Sequence, residues 1–251
     1  MCVVFLAIDQ HPRWRIVLAS NRDEFYARPT ASASPWPDCP DVIAGRDLEA
    51  GGTWLGVTRD ERWTVVTNVR DLLAHRAGAR SRGGLAADFL CGTDTAEEYA
   101  RRTFGHRTLY NPFNLLMADR QSVWYVSTHR DSPEKLGAGL YGLSNATLDV
   151  PWPKVTRGTG GLAEILHRED FAPEDLFALL ADAEPAPDAM LPDTGVGLAK
   201  ERMLSSILIA SPDYGTRASS VLLQDRSGGS LFVERTVAAS QHTHERTFLL
   251  D

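Results

Sequence analysis

Cysteine is scarce in this sequence. Cys2, Cys39 and Cys91 are the only three in 251 residues, and no pair has CxxC spacing. That excludes a thioredoxin-type redox motif and a disulfide-stapled secreted scaffold, and it fits a reducing cytoplasm. Long apolar runs are also missing: none approaches the roughly 20 residues that a membrane-spanning helix requires. The start has neither the basic region nor the small-residue cleavage site of a secretory leader. Positive charge is in deficit, with 26 Lys and Arg against 33 Asp and Glu. A general nucleic-acid or acidic-membrane binder needs a basic face, so a net charge of -7 argues against both. P-loop, GxGxxG, HExxH and zinc-type Cys/His spacings are absent. So are internal repeats, low-complexity tracts and coiled-coil heptads, which leaves a scaffold role without a sequence feature to rest on.

What is present is a succession of short strand patterns with helices grouped between them. Residues 1–8 form an apolar, β-branched run, read as a buried strand. Asp9-Gln10-His11-Pro12-Arg13 is a turn, and 15–19 is a partner strand that ends in Ser20-Asn21-Arg22-Asp23-Glu24. Residues 28–40 are rich in Pro, Ser and Ala and read as a loop. Further strands are expected over 54–57, 63–68, 113–118, 122–128 and 139–145, with a late hairpin of 219–224 and 230–237. Helices are expected over 84–90, 162–167 and 175–183. Another starts at the Thr95/Glu98 capping box and runs to Arg102. Residues 158–161 read as a glycine break, 184–194 as a short linker, and 202–209 as strand or helix. The fold class is α+β with a largely antiparallel sheet, in a single domain over 1–251.

The chemistry is expected at the N-terminus. Cys2 becomes the first residue if Met1 is removed, and a small second residue permits that removal. Its free α-amine then sits beside its own thiol and can act as its base. The neighbouring strand delivers Asn21, Arg22 and Asp23. A buried Asp orients the amine, and an Arg beside the sulfur favours the thiolate.

These residues carry a resemblance. Met1-Cys2 followed by Asn21-Arg22-Asp23-Glu24 resembles the signature of the NRDE family, which includes the transport and Golgi organisation 2 proteins. Four further blocks agree in order: Gly51-Gly52-Thr53-Trp54-Leu55-Gly56, Thr67-Asn68-Val69-Arg70, Gly142-Leu143-Ser144-Asn145 and Ser211-Pro212-Asp213-Tyr214-Gly215-Thr216-Arg217. The family is similar in turn to the cysteine-type N-terminal-nucleophile (Ntn) hydrolases, among them bile-salt and penicillin V acylases. The resemblance implies a four-layer αββα sandwich of Ntn-hydrolase type. The acylases carry Gly-Arg-Asn-x-Asp where this chain has Ala19-Ser20-Asn21-Arg22-Asp23. Asn21 and Asp23 match, and Ser20 stands at the Arg position. Arg22 lies two residues on and shares the face of Ser20, so either Arg22 supplies the guanidinium or the thiolate goes without one.

By the same comparison Asn145 and Asn68 stand where the acylases have oxyanion donors, and Arg217 matches an Arg near the nucleophile. The implied catalytic set is therefore Cys2, Asn21, Arg22, Asp23, Asn68, Asn145 and Arg217. It implies an amidohydrolase or acyltransferase that passes through an acyl-Cys2 thioester on a small amide or thioester substrate. No cofactor or metal is needed. The alternative implied by the family is a non-catalytic carrier of haem or acyl-CoA. Haem iron could be met by Cys2 or by one of seven scattered histidines, His11, His75, His106, His129, His167, His242 and His244. His242 and His244 could share one strand face, and Arg76, Arg80 and Arg82 could meet propionates, phosphates or a carboxylate.

Overall fold

The computed structural model describes residues 2–238 and 241–250; the side chains of Gln241 and His242 also lie outside the description. Met1, whose removal was expected, is therefore outside the described residues, as is the His242 side chain. Thirteen strands and five α-helices are found among the described residues. In order they are β1 (Cys2–Ile8), β2 (Trp14–Phe25), β3 (Thr30–Trp36), β4 (Cys39–Asp47), β5 (Leu55–Thr58), β6 (Trp63–Asn68), α1 (Arg82–Cys91), α2 (Ala96–Gly105), β7 (Phe113–Ala118), β8 (Val123–Ser127), β9 (Glu134–Leu136), β10 (Gly139–Leu143), α3 (Pro153–Leu166), α4 (Pro173–Leu180), α5 (Leu198–Met203), β11 (Tyr214–Asp225), β12 (Ser230–Ala238) and β13 (Gln241–Leu250).

The chain divides into two compact units, one of residues 1–27 with 138–249 and one of residues 28–137. The first holds a six-stranded sheet in the order β10-β1-β2-β11-β12-β13, and the second a seven-stranded sheet in the order β3 to β9. The pairings identified within both sheets are antiparallel. In the first unit α3 and α4 lie on one face of the sheet. There Val3, Phe5, Ala7, Val17 and Ala19 meet Leu162, Ile165, Leu176 and Phe177 in one apolar cluster. In the second unit α1 and α2 cover the sheet through Leu85, Phe89, Tyr99, Phe113, Leu115 and Val126. Among the described residues no helix is long and apolar enough to cross a membrane.

Two sequence expectations change, those for 28–40 and 158–161. The partner strand delivers Asn21-Arg22-Asp23-Glu24 as expected: β2 runs through them to Phe25. It is a central strand, and pairing with β1 on one side and β11 on the other overrides the weak strand preference of Asn and Asp. The Pro/Ser/Ala stretch of 28–40 is the β3–β4 hairpin, not a loop. Pro35 is accommodated because β3 is an edge strand with an irregular register at that point. The polar tail forms β13, an edge strand whose charged side chains face out.

The glycines of 158–161 do not break a helix; they lie inside α3. A Cβ at Gly158 would sit 1.9 Å from the Phe5 ring, and one at Gly161 would sit 2.6 Å from Leu179. On the sheet side, a Cβ at Gly142 would meet Val155 at 2.5 Å. Absent side chains at Gly158 and Gly142 therefore let α3 lie directly on β1 and β10. That close seat determines where the first turn of α3 falls.

Replacing Gly158 by Ala should destabilise the protein by about 1–3 kcal/mol through overpacking against Phe5. Gly160→Ala, on the exposed side of the same helix with open space around it, should instead stabilise by up to about 1 kcal/mol through helix propensity. Urea unfolding of the two variants measures both signs.

Candidate active site

The site is built by strand register. In the β1–β2 ladder Cys2 pairs with Arg22 and Val3 with Asn21. On the other side of β1, Val4 pairs with Leu143 of β10. β10 ends there, and Ser144-Asn145 follow it as a bend. Directly opposed residues share a face and stand about 4.5–5.5 Å apart. Cys2 and Arg22 thus share one face of the sheet, and Asn145 is tied to the Cys2 end through Ser144. All three are buried. The single Ser144 hydroxyl proton is shared between the Cys2 carbonyl (3.2 Å) and Asn145 Oδ1 (3.3 Å). Arg22 Nη2 lies 4.0 Å from Glu24 Oε2. The Ser20 hydroxyl is turned back into its own ladder, donating to the Val3 carbonyl at 2.9 Å.

Asn21 turns to the opposite face, toward the helices. Its Nδ2 donates to the carbonyls of Leu180 (2.8 Å) and Ile207 (3.0 Å), and its Oδ1 accepts from the Ser219 hydroxyl (2.7 Å). Expected among the catalytic groups, Asn21 instead ties β2 to the end of α4, to the 207 segment and to β11. Asp23 follows on the strand. Its Oδ1 accepts from Thr216 Oγ1 at 2.8 Å, and that oxygen itself accepts from the Ile209 backbone N–H at 3.0 Å. Thr216 also pairs with Asp23 in the β2–β11 ladder, next to the irregularity that sets Arg217 apart. Gly215 makes the bend possible, since a Cβ there would meet the Tyr26 hydroxyl at 2.3 Å.

Electrostatics bind these groups to one another. Burial pushes the Cys2 thiol above its ordinary range; the Arg22 guanidinium and the Asp23 backbone N–H pull it back. Burial likewise raises the Asp23 carboxyl, and the charge of Lys154 is the largest influence opposing it, with the Thr216 hydroxyl also lowering it. Lys154 sits in the first turn of α3 and is 1% exposed. A buried lysine is rare without a carboxylate near it, and Asp23 is that carboxylate. The close seat of α3 on Gly142 and Phe5 is what brings the lysine there.

Arg217 lies between Thr216 and Ala218, the partners of Asp23 and Arg22 in the β2–β11 ladder. Arg217 Nη1 donates to the carbonyls of Phe25 (2.9 Å) and Tyr26 (3.1 Å), closing the end of β2. Asn68 ends β6 in the second unit, opposite Phe113. The Arg76 and Arg82 side chains are engaged with the chain itself. Arg76 donates to the Thr108 and Tyr110 carbonyls and Arg82 to the Pro112 carbonyl, stitching that segment to 108–112. No cluster of three or more His, Cys, Asp or Glu able to hold a metal is found among the described residues.

Sequence reading missed Lys154, Thr216 and Ser144. The last two lay inside quoted blocks and carried no signal of their own. Lys154 follows Trp152-Pro153 at a helix start, where a lysine ordinarily points to solvent.

Residues 1–239 match the sequence profile described as Transport and Golgi organisation 2. The chain belongs to that family. The bovine Transport and Golgi organization protein 2 homolog is 35% identical over 268 residues, covering 98% of this chain and 97% of that one. The Drosophila melanogaster protein of that name is 30% identical, covering 94% and 92%. Among solved structures, the C2A mutant of the conjugated bile acid hydrolase from Clostridium perfringens superposes with a TM-score of 0.52 at 8% identity, over 99% of this chain and 92% of that one. The likeness gives the fold: this family member is α+β, of Ntn-hydrolase type, as its sequence blocks imply.

Asn21→Ala should cost about 3 kcal/mol, since it leaves two buried carbonyls and a buried hydroxyl without their partner. Denaturant titration measures the loss. A loss below about 0.5 kcal/mol would mean that Asn21 does not hold β2 to its neighbours.

Proposed function

We propose that this chain is an Ntn-type cysteine hydrolase or acyltransferase, acting on a small amide or thioester through an acyl-Cys2 intermediate. The observation that supports this reading is the Cys2–Arg22 pair of the β1–β2 ladder, with Asn145 linked to Cys2 through Ser144 and with Asp23 next on β2, hydrogen-bonded by Thr216. Removal of Met1 gives Cys2 the α-amine. Cys2 Sγ attacks the substrate carbonyl carbon, and the thiol proton passes to that amine. Its unperturbed pKa of about 8 suits a base near neutrality. The ionised Asp23 holds the resulting ammonium, and Arg22 supports the thiolate.

Oxyanion stabilisation falls to Asn145. Its Oδ1 accepts from the Ser144 hydroxyl, and its amide N–H is the donor this reading assigns to the developing negative charge. One such donor is worth about 3–4 kcal/mol of barrier. As the C–N or C–S bond of the substrate breaks, the ammonium returns its proton to the leaving group. The acyl-Cys2 thioester is then released by water, deprotonated by the same amine, or passed to another acceptor.

Lys154 acts through Asp23 as a positioning residue. Its positive charge keeps the carboxyl ionised against the burial that would neutralise it.

Intact-mass spectrometry of the natural protein tests the reading, before and after incubation with acyl donors of graded chain length. The expected record is loss of Met1 and an acyl mass added to the wild type but not to Cys2→Ala. Retention of Met1, or full turnover by Cys2→Ala, overturns it. A Soret shift on haem titration with no acyl adduct would favour the carrier instead. For Lys154→Met, removing the positive charge lets the Asp23 carboxyl rise further. The acid limb of the kcat/KM profile should therefore move to higher pH, with activity best retained on the alkaline side. An unmoved limb would disconnect Lys154 from the reaction.

A further inference from the structure

The sequence offers no spacing that pairs Cys39 with Cys91. The fold brings them together in the second unit. Cys39 opens β4, directly after the β3–β4 turn, and Cys91 is the last residue of α1. Helix α1 lies across β4 through Phe89 and Leu90, which belong to the same apolar cluster that Cys39 packs against. The two thiols are near enough for Cys39 to perturb the titration of Cys91, and neither is in a disulfide. Both line one pocket of about 610 Å³, with Arg59, Arg62, Arg120 and Asp41 on its walls. Cys91 is exposed and Cys39 half-buried, so a reagent arriving from solvent reaches Cys91 first.

We propose that Cys39 and Cys91 form a reversible dithiol–disulfide site, oxidised by a small-molecule disulfide through thiol exchange at Cys91. The first step forms a bond between Cys91 Sγ and one sulfur of the oxidant and expels the other sulfur as a thiolate. The second step resolves it. Cys39 Sγ, having lost its proton to solvent, attacks Cys91 Sγ and expels the second thiolate. Two electrons pass from the protein dithiol to the reagent disulfide, which leaves as two thiols after taking up the two protons. The product joins the end of α1 to the start of β4 across the pocket that both line.

The surroundings set the rate. Burial, the neighbouring Cys39 thiol and the carboxylate of Asp38 push Cys91 up to about 12, against the pull of Arg46. The attacking thiolate is therefore sparse at neutral pH, and a resolving partner is already nearby when it forms. Exchange should be slow, and it should quicken about tenfold per pH unit between neutrality and mild alkali, as the thiolate fraction rises. This pair is independent of the acyl-transfer reading, because neither Cys2 nor its neighbours take part.

The full-length protein is incubated with oxidised glutathione, and remaining thiols are alkylated and counted by intact mass. The expected product is two hydrogens lighter, has lost two alkylatable thiols, and yields a crosslinked peptide joining Cys39 to Cys91 under non-reducing digestion. Cys39→Ser should stop at the Cys91–glutathione mixed disulfide, and Cys91→Ser should take up no glutathione at Cys39. Reduction with dithiothreitol should restore all thiols. A wild type that accumulates the mixed disulfide as Cys39→Ser does, that crosslinks between molecules, or that keeps both thiols through alkaline incubation would overturn the proposal.

Discussion

The β1–β2 ladder is the constraint from which the candidate site follows. Side chains alternate between sheet faces with a period of two, so a slip of one residue would exchange every inward and outward group. In the observed register, Cys2 and Arg22 share one face while Asn21 faces the helices. Slipped by one, Cys2 would face Asn21 or Asp23, and the apolar side chains of Val3, Phe5 and Ala7 would lose their contacts with the helices. The register is therefore held by the burial of the whole strand, every residue of which is inaccessible or nearly so. Site geometry and core packing are one specification rather than two.

Around this ladder the sheet buries charge. Arg22, Asp23 and Lys154 are all within a few per cent of full burial. Desolvation of an ion costs several kcal/mol even after relaxation, so a core built for stability alone would not place three together. The arrangement is held by specific geometry: Thr216 bonded to Asp23, the Ile209 N–H bonded to Thr216, and Lys154 supplied by a helix seated on glycines. Asn21 adds cohesion on the same side, bridging β2 to three other segments. Such over-determination is what keeps perturbed groups in place. A cluster of this kind, beside a cysteine at the chain's start, is characteristic of functional sites.

The second unit uses similar means for a different end. Two of its glycines make room for packing: a Cβ at Gly45 would strike the Trp54 ring at 2.2 Å, and one at Gly52 would meet the Gly83 backbone at 2.3 Å. Arg62 draws the end of α1 down to the sheet by donating to the carbonyls of Phe89 and Gly92. That brings the C-terminal end of the helix to the start of β4, so that two cysteines far apart in sequence line one pocket.

Much of this was legible in the residues. The apolar run of β1, the strands over 63–68 and 113–118, the Thr95/Glu98 capping box and the late hairpin follow from local pattern and short-range bonding. The blocks containing Cys2, Asp23 and Asn145 mark the candidate site, because a thiol, an acid and an amide near strand ends are identifiable by type. What local pattern misjudged was governed by neighbours. The Pro/Ser/Ala stretch of 28–40 is strand because β4 pairs with β5 in the sheet, and the glycines of α3 are helical because Phe5 and Leu179 occupy the space of their missing side chains. Lys154 and the Cys39–Cys91 juxtaposition left no trace in spacing, since each arises from a helix laid on a sheet. The sequence by itself determined the fold class and which residues could react. Only tertiary structure decided which faces they share, which charges are buried against one another, and which thiols share a pocket, because those depend on contacts between segments that no local rule of propensity or periodicity encodes.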